Sequence, residues 1–179
     1  MRIIAGRLKG REFKSPHGHR THPMSDKVRG ALFNVLGDIE SLTFLDAFAG
    51  SGALAFEAAS RGAKSVIAID RDTSAHRTIE QNVKDLRLQK IVHVTKANAG
   101  GWSIHNQEKT FDIVLLAPPY DELQEQLLKT LAKRHSKPGG LVVLDWPGKT
   151  EIPEFSKTEV AVVKDYGDAQ LVFYRVLKK

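Results

Sequence analysis

The sequence predicts an α/β fold: a mostly parallel, doubly wound sheet of seven strands, finished by an antiparallel hairpin. Three observations predict it. Apolar runs of strand length alternate with amphipathic helical stretches from residue 42 to residue 145, the pattern of a parallel sheet covered by helices. One of these runs, Phe111–Leu116, is almost wholly apolar and is followed by Ala117 and then Pro118-Pro119, as expected of a buried strand that stops abruptly. Near the end, two β-rich runs, Glu159–Lys164 and Leu171–Val176, are separated only by Asp165-Tyr-Gly-Asp-Ala-Gln170. That connection is too short for a helical crossover, so the two runs pair as a hairpin.

The elements follow in order. Arg2–Ala5 and Arg11–Lys14 read as short strands around Gly6–Gly10, a small basic β-hairpin. Ser25 or Asp26 can cap a helix running to about Leu36, with Val28, Leu32, Val35 and Leu36 on its inner face and Gly37 as its stop. The core then alternates: strand Leu42–Phe48, helix Ala53–Arg61, strand Ser65–Asp70, helix Thr73–Leu86, strand Ile91–Thr95, strand Phe111–Leu116, helix Glu122–Arg134 and strand Leu141–Asp145. Ile79, Val83 and Leu86 form one inward stripe, and Leu123, Leu127, Leu128 and Leu131 another. The 179 residues suit a single domain, with 1–24 as a basic N-terminal arm and 25–179 as the ligand-binding core.

Composition narrows the function. Hydrophobic residues make up 41% and charged residues 27%, ordinary for a globular protein. No apolar run approaches the roughly 20 residues that span a bilayer, and the start lacks a signal-peptide core, so a cytoplasmic protein with no membrane contact is expected. The absence of cysteine excludes disulfides, thiolate metal sites and a thiol nucleophile. The seven histidines have no metal-ligand spacing, so no metal is expected. Charge is concentrated: residues 1–30 hold eight Lys/Arg against two acids, the whole of the net +6. A basic segment beside a neutral core suits a nucleic acid. Arg2, Arg7, Lys9, Arg11, Arg20, Lys27 and Arg29 are the candidate RNA contacts.

Asp46-Ala47-Phe48-Ala-Gly50-Ser51-Gly52 lies between the first core strand and its helix. The two glycines allow a tight turn and close approach of a ligand. Gly50-Ser-Gly-Ala-Leu-Ala55 also fits a dinucleotide loop, and Asp70, followed by Arg71, stands at the spacing of an acid that binds a ribose diol. Either NAD or S-adenosylmethionine satisfies that pattern. Asp46 favours S-adenosylmethionine, whose amino-acid end carries an ammonium; NAD offers no such ammonium there.

Ala117-Pro118-Pro119-Tyr120 resembles the Asp/Asn-Pro-Pro-Tyr/Phe motif of enzymes that methylate exocyclic amino groups of bases. A parallel sheet ending in a hairpin resembles the class I S-adenosylmethionine-dependent methyltransferase fold, a Rossmann-like layout. Arg2-Ile-Ile-Ala-Gly6, Lys9-Gly-Arg11, Ser25-Asp-Lys-Val-Arg29, Ala31-Leu-Phe-Asn34, Leu45–Gly52 and Pro118-Pro-Tyr120 together resemble the RsmD-type 16S rRNA guanine-N2 methyltransferases. The resemblance implies S-adenosylmethionine as methyl donor, a guanosine of 16S ribosomal RNA in the small subunit or its assembly intermediate as acceptor, and a monomer. It implies that Asn98, with Ala99 beside it, meets the adenine amino group.

The sequence departs from that family at His22-Pro-Met24, at Gly30 for a glutamate, at Asn98 for an acid and at Ala117 for aspartate. In the family, the motif's first side chain and a backbone carbonyl accept hydrogen bonds from N2, and the aromatic ring stacks on the base. Ala117 leaves the carbonyls of Ala117 and Pro118 and the ring of Tyr120. Loss of a charged acceptor is worth about 10- to 150-fold in rate. Asp121 offers a carboxylate nearby in sequence, although it reads more simply as the cap of the helix after it. Two functions therefore stand: a slowed rRNA methyltransferase, or an rRNA- or ribosome-assembly binding protein that retains the fold. An NAD-dependent oxidoreductase is a third reading and leaves the basic arm without purpose.

Overall fold

A computed structural model describes residues 1–18 and 23–179. The described residues hold seven strands, and the chain divides into two compact units, Met1–Ala99 and Gly100–Lys179. The expected arm at 1–24 belongs to the first unit. No helix among the described residues is long and apolar enough to cross a membrane.

The first unit holds α1 (Asp26–Leu36), β1 (Thr43–Asp46), α2 (Ala53–Ser60), β2 (Ser65–Asp70), α3 (Thr73–Asp85) and β3 (Val92–Lys96). β1 pairs in parallel with β2, and β2 with β3. Ser25 caps α1 by accepting from the Val28 N–H at 3.2 Å, and Gly37 ends the helix at φ 71°. The buried face of α1 is Arg29, Leu32 and Phe33, not the Val28-Leu32-Val35-Leu36 stripe expected from apolarity. An ion pair to Glu57 draws Arg29 inward and rotates the buried face.

All eight residues of α2 are buried. Its composition is mostly Ala, Leu and Phe, so it can be enclosed on every side. The N-terminal segment supplies one of those sides. The expected basic hairpin forms as a single antiparallel bridge, Arg2 to Glu12, extended by hydrogen bonds from Ile3 N to Arg11 O at 2.9 Å and Gly10 N to Ile3 O at 2.8 Å. Its strands are shorter than expected because their backbone groups turn to side chains of the core. Glu57 accepts from the Ile4 and Ala5 N–H groups, each at 3.0 Å. The Ser60 hydroxyl donates to Ala5 O at 2.6 Å and accepts from Leu8 N at 2.9 Å. Asn82 of α3 exchanges two hydrogen bonds with the Lys14 backbone. Gly6 sits so close to α2 that a Cβ there would lie 2.1 Å from Ser60 O, and its φ is +83°.

The second unit carries most of α4 (Ala99–His105), with β4 (Phe111–Leu116), α5 (Glu125–His135), β5 (Ser136–Pro147), β6 (Thr158–Asp165) and β7 (Ala169–Val176). β4 and β5 are parallel; β5–β7 and β6–β7 are antiparallel, so the terminal hairpin forms as expected. α4 was not expected, because Gly100 and Gly101 sit inside it and glycine disfavours helix. Trp102, packed at 5.0 Å from the His135 ring, fastens it to the unit. α5 begins at Glu125 rather than Glu122, after Gln124 in the left-handed region. Asp121 is therefore an exposed turn residue and not the helix cap.

Candidate functional site

The first unit builds a carboxylate-lined loop at the ends of β1 and β2. Asp46 closes β1 and is fully buried, and among the described residues neither carboxylate oxygen makes a well-formed hydrogen bond, the Phe48 backbone N–H being its one weak donor. Burial pushes its carboxyl up to about 7; the Phe48 backbone N–H pulls against that rise and the Asp70 charge adds to it. A buried carboxylate without a partner is costly, and a bound cation removes the cost. Gly50 and Gly52 turn the loop at φ 55° and 81°. A Cβ on Gly52 would stand 2.8 Å from the Phe56 ring.

Asp70 closes β2, and its role is broader than expected. Its Oδ2 accepts from Gly50 N and its Oδ1 from Asp72 N, each at 2.8 Å. It therefore fastens the glycine loop to the start of α3, where Asp72 is the cap. Each oxygen keeps a further acceptor site for a diol. Ala47 and Ala99 are buried, Phe48 and Ser51 are half-buried, and Arg71 and Asn98 are exposed. Asn98 lies immediately before α4. Asp46, Asp70 and Asn98 are the residues of this loop region that could hold a cofactor: a buried carboxylate suits a cation, a carboxylate with spare acceptor sites a diol, and a side-chain amide an amino group.

The second unit holds the Ala117-Pro118-Pro119-Tyr120 turn after β4, closed by a hydrogen bond from Glu122 N to Pro119 O at 2.9 Å. Ala117 and Pro119 are half-buried and Pro118 buried. Tyr120 is 43% exposed. Its hydroxyl donates to Asp145 Oδ1 at 2.5 Å and also approaches Trp146 O at 3.2 Å. Burial and the Asp145 carboxylate together hold the phenol far above its usual range, while burial raises Asp145 and the Tyr120 hydrogen bond lowers it. Asp145 did not emerge as a site residue from sequence. Its signal was nonetheless present: like Asp46 and Asp70, it is an acid closing an apolar strand.

Among the expected RNA contacts, Arg2, Arg7, Lys9, Arg11 and Lys27 are exposed. Arg2 leans on Asp26 at 3.5 Å, and Arg11 donates to Asp85 O at 3.3 Å. Arg29 is corrected: its side chain is fully buried and its guanidinium engages Asp26 at 2.9 Å and Glu57 at 3.6 Å. It holds the fold and is not presented to a phosphate. Arg20 lies outside the described residues. An open cleft of about 530 Å³ at the opposite ends of β1 and β2, lined by Arg7, Arg61, Lys64 and Glu40 among others, is remote from Asp46 along both strands.

The family described as "Conserved hypothetical protein 95" matches residues 1–175. The chain belongs to that family. Within and around the Conserved hypothetical protein 95 family, it is 35% identical over 182 residues to "Putative rRNA methyltransferase YlbH" of Bacillus subtilis (strain 168), covering 98% of both chains. It is 36% identical over 122 residues to "Ribosomal RNA small subunit methyltransferase D" of Escherichia coli (strain K12), covering 67% of this chain and 60% of that one. Its fold matches the solved structure of "Putative methyltransferase yhhF from Escherichia coli" with a TM-score of 0.88 and 28% identity, over 100% of this chain and 99% of that one. The fold is that of the class I methyltransferases, and the resemblance read from the N-terminal blocks and the glycine loop holds.

Proposed function

We propose that this chain is an S-adenosylmethionine-dependent rRNA methyltransferase, and that it acts as a cytoplasmic monomer on the exocyclic N2 of a guanosine in the 16S RNA of the small ribosomal subunit or its assembly intermediate. The methyltransferase and rRNA parts of this reading rest on what its full-length and partial relatives are named for. The observation that carries the donor is Asp46, a buried carboxylate with no well-formed hydrogen bond among the described residues, beside a two-glycine turn. NAD brings no cation to that position, so the oxidoreductase reading loses its support.

Bound S-adenosylmethionine supplies an electrophilic methyl group on a sulfonium. The protein's own residues do the rest. Asp46, Asp70 and Asn98 hold the donor. The ring of Tyr120 stacks on the base and fixes its plane, which orients the N2 lone pair for transfer. The carbonyls of Ala117 and Pro118 accept from the amino group and localise that lone pair. Arg2, Arg7, Lys9, Arg11 and Lys27 bind phosphates.

Ala117 supports a second reading, a binding protein without methyl transfer. Transfer of labelled methyl from S-adenosylmethionine to small subunits lacking the modification separates the two, with native protein compared against A117D. Transfer by the native chain supports the enzyme. Transfer by the variant alone supports the binding protein. Transfer by neither rejects the substrate.

A further inference from the structure

We propose that Asp145 replaces the carboxylate missing at position 117 and accepts the hydrogen bond from the exocyclic amino group of the base. This inference rests on the methyl-transfer reading above. β4 and β5 pair in parallel with Leu115 opposite Val143 and Leu116 opposite Leu144. The next residues in that register are Ala117 and Asp145. Registered side chains of neighbouring strands project to the same face, about 4.8 Å apart. A carboxylate lost from the end of β4 is thus present at the end of β5, one strand over.

Its setting is that of a working acceptor. Asp145 Oδ1 accepts a hydrogen bond from the Tyr120 hydroxyl at 2.5 Å. Its other oxygen has no partner among the described residues and is not sealed from solvent. Asp145 is therefore fixed through the same ring that stacks on the base, with one oxygen left to accept. β7 holds its backbone from the other side, where it pairs with Leu171. Asp121, by contrast, lies on the exposed turn with no strand to fix it.

In the reaction, the N2 lone pair forms the new N–C bond as the S–CH3 bond breaks, and that bond's electron pair goes to sulfur, leaving a neutral thioether. The methylated nitrogen sheds one proton, which Asp145 takes from the N–H it already accepts and passes to water.

Methyl transfer to unmodified small subunits by the native chain, D145N, Y120F and the double variant A117D/D145N tests this. We expect D145N to lower kcat by about 10- to 150-fold, the worth of a hydrogen bond to a charged group. The melting temperature and S-adenosylmethionine affinity should stay close to native, showing that it folds. A117D/D145N should regain most of the rate, and Y120F, which keeps the stacking ring, should lose only a few-fold. Native-like transfer by D145N overturns the inference. So does an equal loss in Y120F, which makes Asp145 a support for the ring alone, and so does a folded double variant that regains nothing. A native chain without transfer rejects the underlying reading instead, before any variant is compared.

Discussion

Asp46 and Arg29 show how one charged side chain can be stabilising or costly according to its company. Asp46 titrates near 7 in the folded chain against 3.8 for an ordinary aspartate. The native state therefore holds its proton more tightly than the unfolded state, and stability falls as pH rises from about 3.8 to about 7. D46N removes that penalty, so it should melt higher than the native chain at pH 8 while binding S-adenosylmethionine at least about tenfold more weakly. A cationic ligand favours ionised Asp46, so native affinity should climb between about pH 6 and pH 8, and affinity in D46N should not. Titration calorimetry at the two pH values reads both. Arg29 is the opposite case, a buried charge paired with Asp26 and Glu57 and donating to two backbone carbonyls. R29A should cost about 3 kcal/mol, because it takes one of two guanidinium partners from buried Glu57 and leaves only Arg61, and should leave the salt dependence of RNA binding unchanged. R7A and K9A should do the reverse, each lowering the salt slope by about one without destabilising the fold.

The elements themselves contain two compromises with helix propensity. Gly30 stands inside α1, where a Cβ would meet nothing nearer than Ile4 Cδ1 at 3.9 Å. G30A should therefore stabilise the chain by up to about 1 kcal/mol, a rise of about 2–4 °C in melting temperature, measurable by calorimetry. Gly100 and Gly101 do the same to α4, and here packing overrides propensity through Trp102, Phe111 and His135. That explains which elements were legible beforehand. Phe111–Leu116 and Ser65–Asp70 were read with their observed bounds because strongly apolar runs carry their own boundaries. α4 was invisible because its stability comes from residues distant in sequence, and the buried face of α1 was misplaced because a charge, not an apolar side chain, turns inward. The start of α5 moved three residues because Gln124 adopts a left-handed backbone, which no apolar periodicity signals.

At the scale of the molecule, the fold and the donor loop were legible together, since the glycine turn and the acids closing β1 and β2 are contiguous with the strand pattern that reveals them. The turn after β4 was only half legible. Tyr120 is in a recognisable tetrapeptide, but its partner Asp145 is 25 residues away and is joined to it only by strand pairing. Acid stability depends on another pairing of this kind. His135 is buried, its Nδ1 faces Lys109 O at 2.7 Å and its Nε2 faces Ser103 Oγ at 2.8 Å. A carbonyl only accepts, so Nδ1 carries the proton and Nε2 takes the Ser103 hydroxyl hydrogen, while Arg134 donates to that same oxygen at 2.7 Å. Burial first, and the Arg134 charge with it, lowers the His135 pKa against the Lys109 carbonyl and Glu108. The unfolded chain then binds more protons below about 6.5, and stability should fall as pH drops through that value; H135Q should flatten this loss in melting curves taken across the range. Finally, the N-terminal segment does not wait for a partner to give it shape. Glu57, Ser60 and Asn82 already hold the backbone between Ile4 and Lys14. If Arg7, Lys9 and Arg11 bind RNA as proposed, capture should carry little ordering penalty for these residues, with a small heat-capacity change, and encounter should be governed by electrostatic steering rather than by folding on contact.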